Sequence, residues 1–99
     1  MTNASFKLCL HKTYYNLGFF NVPIDFERYV TKTDEAAVIF LGNENQAIKG
    51  RVSRKYNPNG TPRIFGSVEL RDWIQKHFEV LDIVTVEFLS PTEFSIRPA

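Results

Sequence analysis

The chain has 99 residues, 43% of them hydrophobic and 23% charged, with a formal net charge of +1. That is enough for one hydrophobic core and too little for a second, and the composition excludes a disordered or low-complexity chain. A single cysteine excludes an internal disulfide; no apolar stretch approaches the about 18 residues of a membrane span, none follows a charged start as in a signal peptide, and the expected compartment is the cytoplasm.

Residues 1–4 read as the least ordered piece. Residues 5–11 then alternate Phe6, Leu8 and Leu10 against Lys7, Cys9 and His11, the period of a half-buried strand. Cys9 falls within that alternation, without a base to activate it, and is read as packing rather than as a nucleophile. Residues 14–21 are aromatic (Tyr14, Tyr15, Phe19, Phe20) with Asn16 and Gly18 as breakers, which predicts a loop or bulged hairpin leading into a short extended piece over 19–22. Phe20 and one of the tyrosines are expected in the core. Pro23 suits the opening of a short helix that carries Asp25 and Glu27 in its first turn, where the helix dipole favours acids, and that ends near Thr31. Ile24, Phe26 and Tyr29 or Val30 are its candidates for the core.

Residues 36–41 form a short apolar run, followed by Gly42, Asn43, Glu44 and Asn45 as a turn and by a second alternating stretch over 46–55, together a hairpin. Ile48, Gly50 and Val52 share one face of its second strand, which leaves Lys49, Arg51, Ser53 and Lys55 on the other. A turn over 57–62 leads to a short strand, 63–65, with Ile64 facing away from Arg63. From 68 to 78 the spacing of Leu70, Trp73, Ile74 and Phe78 predicts an amphipathic helix, with Gly66 and Ser67 as capping residues. Asp82 lies in a turn, residues 83–89 alternate as a strand, Pro91 interrupts it and residues 94–96 supply the last strand. Six or seven short strands with two short helices close most economically as a small barrel.

The near-neutral charge hides a polarised chain. Residues 46–68 contain no acid and five bases (Lys49, Arg51, Arg54, Lys55, Arg63), and the residues before Asp25 contain Lys7 and Lys12 and again no acid. Seven of the 12 basic residues and none of the 11 acidic ones lie in these two stretches. Carboxylates would repel phosphates, whereas Lys and Arg release condensed counterions, so the segregation suits a surface for a polyanion. Lys and Arg also protect exposed sheet edges from pairing, but that role does not require the loss of every acid over so long a stretch. Arg51, Ser53, Arg54, Lys55, Tyr56, Asn57, Asn59 and Arg63 are the side-chain repertoire that reads base edges and phosphates.

For catalysis the inventory is poor. His11 and His77 fall on different elements with no cysteine or carboxylate at ligand spacing, and His77 is accounted for by its place near a helix C-terminus. No glycine-rich phosphate cradle, nucleophile elbow or Cys-x-x-Cys pair is present, and the carboxylate pairs Asp34 with Glu35 and Glu69 with Asp72 read as solvated. No catalytic residue, metal or cofactor is expected.

The order of these features resembles a DNA-binding pseudobarrel family, the B-three domain of plant transcription factors, which also occurs as a divergent branch in bacterial restriction endonucleases. The segment FFNVPIDFERYV looks like that family's apolar pair, Val-Ile-Pro and short helix. VIFLGNENQAIKGRVSRKYNPNGTPRIFG looks like its central hairpin and basic arm, and SVELRDWIQKHFEVLDIVTVEFL like its long helix, turn and apolar strand. The resemblance runs from about Phe6 to Ile96. Leu81 stands where the family has glycine before Asp82, and HKTYYNLGF replaces the plant branch's threonine, serine, aspartate motif, which favours the prokaryotic branch.

The resemblance implies a mainly β fold with two short helices, an open seven-stranded pseudobarrel over residues 1–99. It implies that the domain belongs to a larger protein with a separate nuclease domain and is itself non-catalytic. Two arms, 11–21 and 51–63, would grip double-stranded DNA in the major groove. Mapped onto this chain, Arg51, Lys55 and Arg63 are expected at bases or adjacent phosphates, Asn57 and Asn59 at base edges, and Lys49 and Arg54 at phosphates. Lys12, Tyr14, Tyr15, Asn16 and Asn21 would form the first arm, and Ser53 and Tyr56 complete the second. A transcription-factor-type DNA-binding domain, a small barrel that stacks RNA or single strands on Tyr14, Tyr15 and Tyr56, and a protein-interaction module anchored by the aromatic arm are the alternatives.

Overall fold

The computed structural model describes residues 3–42 and 46–99. Asn43, Glu44 and Asn45 of the expected turn, and Met1 and Thr2 of the expected disordered start, lie outside the described residues. Seven strands form one mixed sheet: β1 (Ser5–Cys9), β2 (Phe19–Asn21), β3 (Glu35–Leu41), β4 (Gln46–Ser53), β5 (Arg63–Phe65), β6 (Ile83–Ser90) and β7 (Glu93–Pro98), in the order β1-β6-β7-β3-β4-β5-β2. Every pairing is antiparallel except β3 with β7. The sheet remains open between β1 and β2 and curls into a half-barrel, accompanied by α1 (Lys12–Leu17), a 3-10 helix (Ile24–Tyr29) and α2 (Ser67–His77). Among the described residues no helix is long and apolar enough to cross a membrane.

The period-2 pattern sets which side chains fill the curl. Phe6, Leu8, Ile39, Leu41, Ile48, Val52, Ile64, Val84, Val86, Phe94 and Ile96 point inward and are buried, each contributing about 1.5–3 kcal/mol relative to exposure. β1 stops at Cys9 rather than His11, yet Leu10 stays tied to the sheet: its N–H donates to Asp82 at 2.8 Å and its carbonyl accepts from Leu81 at 2.8 Å.

Leu81, immediately before Asp82, adopts φ 73° in the left-handed region, a conformation that costs an L-residue roughly 1–2 kcal/mol. α2 places Leu70, Trp73 and Ile74 in the core as their spacing predicts, one residue earlier in its bounds than expected. Gly66 is its cap, and no side chain, Ser67 included, caps it.

Two segments differ from expectation. Residues 12–17 are helical rather than a loop. Lys-Thr-Tyr-Tyr-Asn-Leu has little intrinsic helix preference. Its fixing contacts are tertiary: the Tyr15 hydroxyl donates to the Phe78 carbonyl at 3.1 Å, and the Gln75 amide donates to the Tyr15 carbonyl at 2.9 Å.

After Pro23 the chain forms a 3-10 helix whose Ile24 is 63% exposed rather than in the core. Phe26 and Tyr29 take the apolar role and stack with Phe6 and Phe88 at centroid separations of 5.5–6.1 Å. The outcome is three short helices in place of two.

Candidate nucleic-acid interface

The outward face of β4, β5 and β2 collects residues from both acid-free stretches. Arg51 pairs with Phe65, which pairs with Phe19; Ser53 pairs with Arg63, which pairs with Asn21. Cross-strand partners share a face, so Lys49 and Arg51 from β4, Arg63 and Phe65 from β5, and Phe19 and Asn21 from β2 lie on one surface. Beyond β3, β7 carries Glu93, in register with Lys49 through Val38, and β6 carries Glu87, in an ion pair with Arg97 at 2.7 Å.

An aromatic row crosses the surface. His11 meets Tyr14, Tyr14 meets Phe19, Phe19 meets Phe65 and Phe65 meets Tyr56, with centroids 5.2–6.1 Å apart. Tyr56 is 61% exposed at its end, and Tyr14 and Phe19 are half-buried. The Arg63 guanidinium lies over the Phe19 ring at 4.3 Å and near Tyr56 at 5.5 Å. Its Nε donates to the Asn21 Oδ1 at 2.9 Å and its Nη2 to the Asn57 Oδ1 at 3.3 Å. Asn57 in turn donates to the Asn21 Oδ1 and to the Thr61 carbonyl. Residues 36 positions apart are thereby joined, and a shallow groove beside them is lined by His11, Tyr14 and Asn21 from the first stretch and by Asn59 and Thr61 from the second.

The remaining expected site residues divide by where their polar groups go. Lys12, Asn16, Lys49, Arg51, Lys55 and Asn59 are exposed. The Lys55 ammonium stands 3.6 Å from the Asp34 carboxylate but is itself 82% exposed, and Asn59 uses its Oδ1 to accept from the Thr61 N–H and hydroxyl, which fixes the loop tip. Tyr15 turns away from the surface onto α2.

Ser53 is buried and its hydroxyl donates to Asp34, because the strand ends there and the chain turns inward. Arg54 also faces inward, its guanidinium donating to the Glu27 carboxylate at 2.6 Å and to the carbonyls of Glu27, Val30, Thr31 and Gly60. That hydrogen bond holds the Glu27 carboxyl below its ordinary pKa. Asp34 is raised by burial, but the Arg54 N–H, the Ser53 hydroxyl and Lys55 outweigh this and leave it lowered.

Phe65 was not among the expected contact residues. Its signal was present, since it lies two positions from Arg63 on a strand and so on the same face. Among the described residues no group of three or more His, Cys, Asp or Glu side chains is arranged to hold a metal ion.

No family model and no curated protein matches the sequence. Among solved structures, the N-terminal domain of LlaJI.R1 from Helicobacter pylori, a restriction enzyme subunit, matches with a TM-score of 0.65 over 94% of this chain and 78% of that one. The chain shares the fold of that domain. At 9% identity the likeness is one of fold, and the surface must be argued from its own residues.

Proposed function

We propose that this domain recognises double-stranded DNA by sequence, as the B-three-like target-recognition or effector domain of a restriction endonuclease whose nuclease domain is separate from it. The observation that carries the reading is the union of the two acid-free stretches on one outward face, with Arg63, Asn21 and Asn57 locked together at their junction. The likeness in fold to the N-terminal domain of a restriction enzyme subunit supports a DNA context for the domain as a whole.

In this reading Lys12, Lys49, Arg51 and Lys55 meet phosphates or the base edges beside them. Asn16, Asn57, Asn59 and Tyr56 face the groove with Arg63, and Tyr14 and Asn21 support it from the first arm. Arg54, Ser53 and Tyr15 serve the fold beneath, since their polar groups are already engaged inside the domain. Catalysis falls to the separate domain, and this one needs no cofactor.

Selection from a library of random-sequence duplexes at near-physiological salt tests the proposal. Enrichment of one short motif is expected. Retention without enrichment would reduce the surface to a nonspecific basic patch, and preferential retention of single strands would favour stacking on the exposed Tyr56 instead.

A further inference from the structure

The two ends of the basic loop use their arginines in opposite ways. The Arg54 guanidinium is neutralised by Glu27 and surrounded by four backbone carbonyls, so it has little left to offer a ligand. Arg63 is held just as firmly, but by neutral groups: two asparagine oxygens and the face of Phe19. Among the described residues no carboxylate lies within ion-pair distance of it. Its charge is positioned and left uncompensated.

The hydrogen bonds also decide which edge of the guanidinium remains available. A guanidinium carries five N–H donors in a fixed plane. The edge formed by Nε and Nη2 is taken by Asn21 and Asn57. The Asn57 amide cannot turn over to release it, because its Nδ2 is committed to two oxygens, those of Asn21 and Thr61. What remains is the end formed by Nη1 and the second hydrogen of Nη2, two parallel donors whose direction is set by the two asparagine bonds, with the Phe19 ring 4.3 Å from the guanidinium carbon. That fork matches the adjacent O6 and N7 acceptors of a guanine in the major groove, and no other base offers two acceptors side by side there.

A phosphate would also accept a fork. It presents oxygens in many directions, however, and has no use for a guanidinium fixed in plane and rotation, whereas a base edge is read only if the plane is correct. The exposed Lys49, Arg51 and Lys55 around it suit the backbone contacts that set register.

We infer that Arg63 reads one guanine of the target site through its Nη1 and Nη2 donors, held in plane by Asn21, Asn57 and Phe19. The inference rests on the duplex-recognition reading above. Methionine cannot replace it, because it keeps the apolar stem but has no N–H donor to offer the base.

The test takes the duplex recovered by selection and replaces its guanines one at a time with 7-deazaguanine, which lacks the N7 acceptor. With the unaltered protein, one position should lose about tenfold or more in affinity. With R63M that position should become indifferent to the replacement, and the motif selected by R63M should lose its preference there while keeping the others. The inference is overturned if no guanine position responds to deazaguanine, if R63M selects an unchanged motif, or if R63M weakens all duplexes equally, which would make Arg63 a phosphate contact. The deazaguanine arm uses the unaltered protein and is independent of how R63M folds. If the unaltered protein retains no duplex at all, the duplex-recognition reading itself fails and takes the inference with it.

Discussion

Arg54→Met is expected to lower the domain's unfolding free energy by about 2–4 kcal/mol without touching the outward surface. The substitution keeps the stem and volume of the side chain and removes the guanidinium that satisfies the carbonyls of Glu27, Val30 and Thr31 at 2.9–3.0 Å. These carbonyls close the C-terminal end of the 3-10 helix, and Arg54 is what joins that end to the hairpin. A surface arginine would show no such cost, so thermal and denaturant melts separate the two roles cleanly.

The acid limb supplies an independent readout. Glu27 is held below its ordinary pKa chiefly by its hydrogen bond from Arg54, and Glu35 by the hydroxyls of Thr31 and Thr33. A carboxylate whose folded pKa is depressed stabilises the fold fully above its unfolded value and loses that contribution as pH falls through the folded one. The wild-type domain should therefore lose stability as the pH drops below about 4. Arg54→Met should show a shallower fall over the same range, because the Glu27 share is already gone.

Gly18→Ala is the second large expected effect, about 3 kcal/mol, or a melting temperature lower by more than 10 °C for a domain of this size (~4–8 °C per kcal/mol). Gly18 ends α1 at φ 71°, where its N–H donates to the Tyr14 carbonyl and its carbonyl accepts from the Gly66 N–H at 2.9 Å. A Cβ there would stand 2.1 Å from the Ser67 carbonyl oxygen and 3.0 Å from the Arg71 nitrogen, both backbone atoms that cannot swing aside. Gly60→Ala is the control. It has a similar φ of 73° but nothing within 4 Å of the added Cβ, so only the conformational cost of roughly 1–2 kcal/mol applies. The difference between the two variants measures how tightly α1 is pressed against the start of α2. Because β2 follows Gly18 directly, the same variant should also loosen the seat of Phe19 and Asn21 and weaken whatever the outward face binds.

How much of this was legible in the sequence follows from the range of the interactions. Alternation located β1, β4 and β6 to within a few residues, because one face of each strand is buried and the pattern is a local consequence of that, while β3 was marked by a short apolar run and β7 by the break at Pro91. The helix α1 was not legible. Two tyrosines, a threonine and an asparagine carry no helical signal, and contacts with Gln75 and Phe78, some 60 residues away, hold it in place.

The site divides in the same manner. The missing acids showed which two stretches share a surface, and the cross-strand register places Arg51, Arg63 and Asn21 there. Composition could not reveal that Arg54 faces inward, since its partner Glu27 lies 27 positions away in a different element. Nor could it distinguish the two tyrosines, whose neighbouring positions on a helix send Tyr14 toward Phe19 and Tyr15 toward Phe78.

The central claim is that the outward face of β4, β5 and β2 holds duplex DNA, and a salt titration of duplex affinity tests it most directly. Lys12, Lys49, Arg51 and Lys55 offer four cationic groups to phosphates, with Arg63 given to a base, so the slope of log affinity against log salt should be about −3 to −4, at about 0.9 per phosphate neutralised. Replacing Lys49 and Arg51 with alanine should reduce its magnitude by about 2. A duplex affinity that ignores salt, or a slope unchanged in the double variant, would contradict the account.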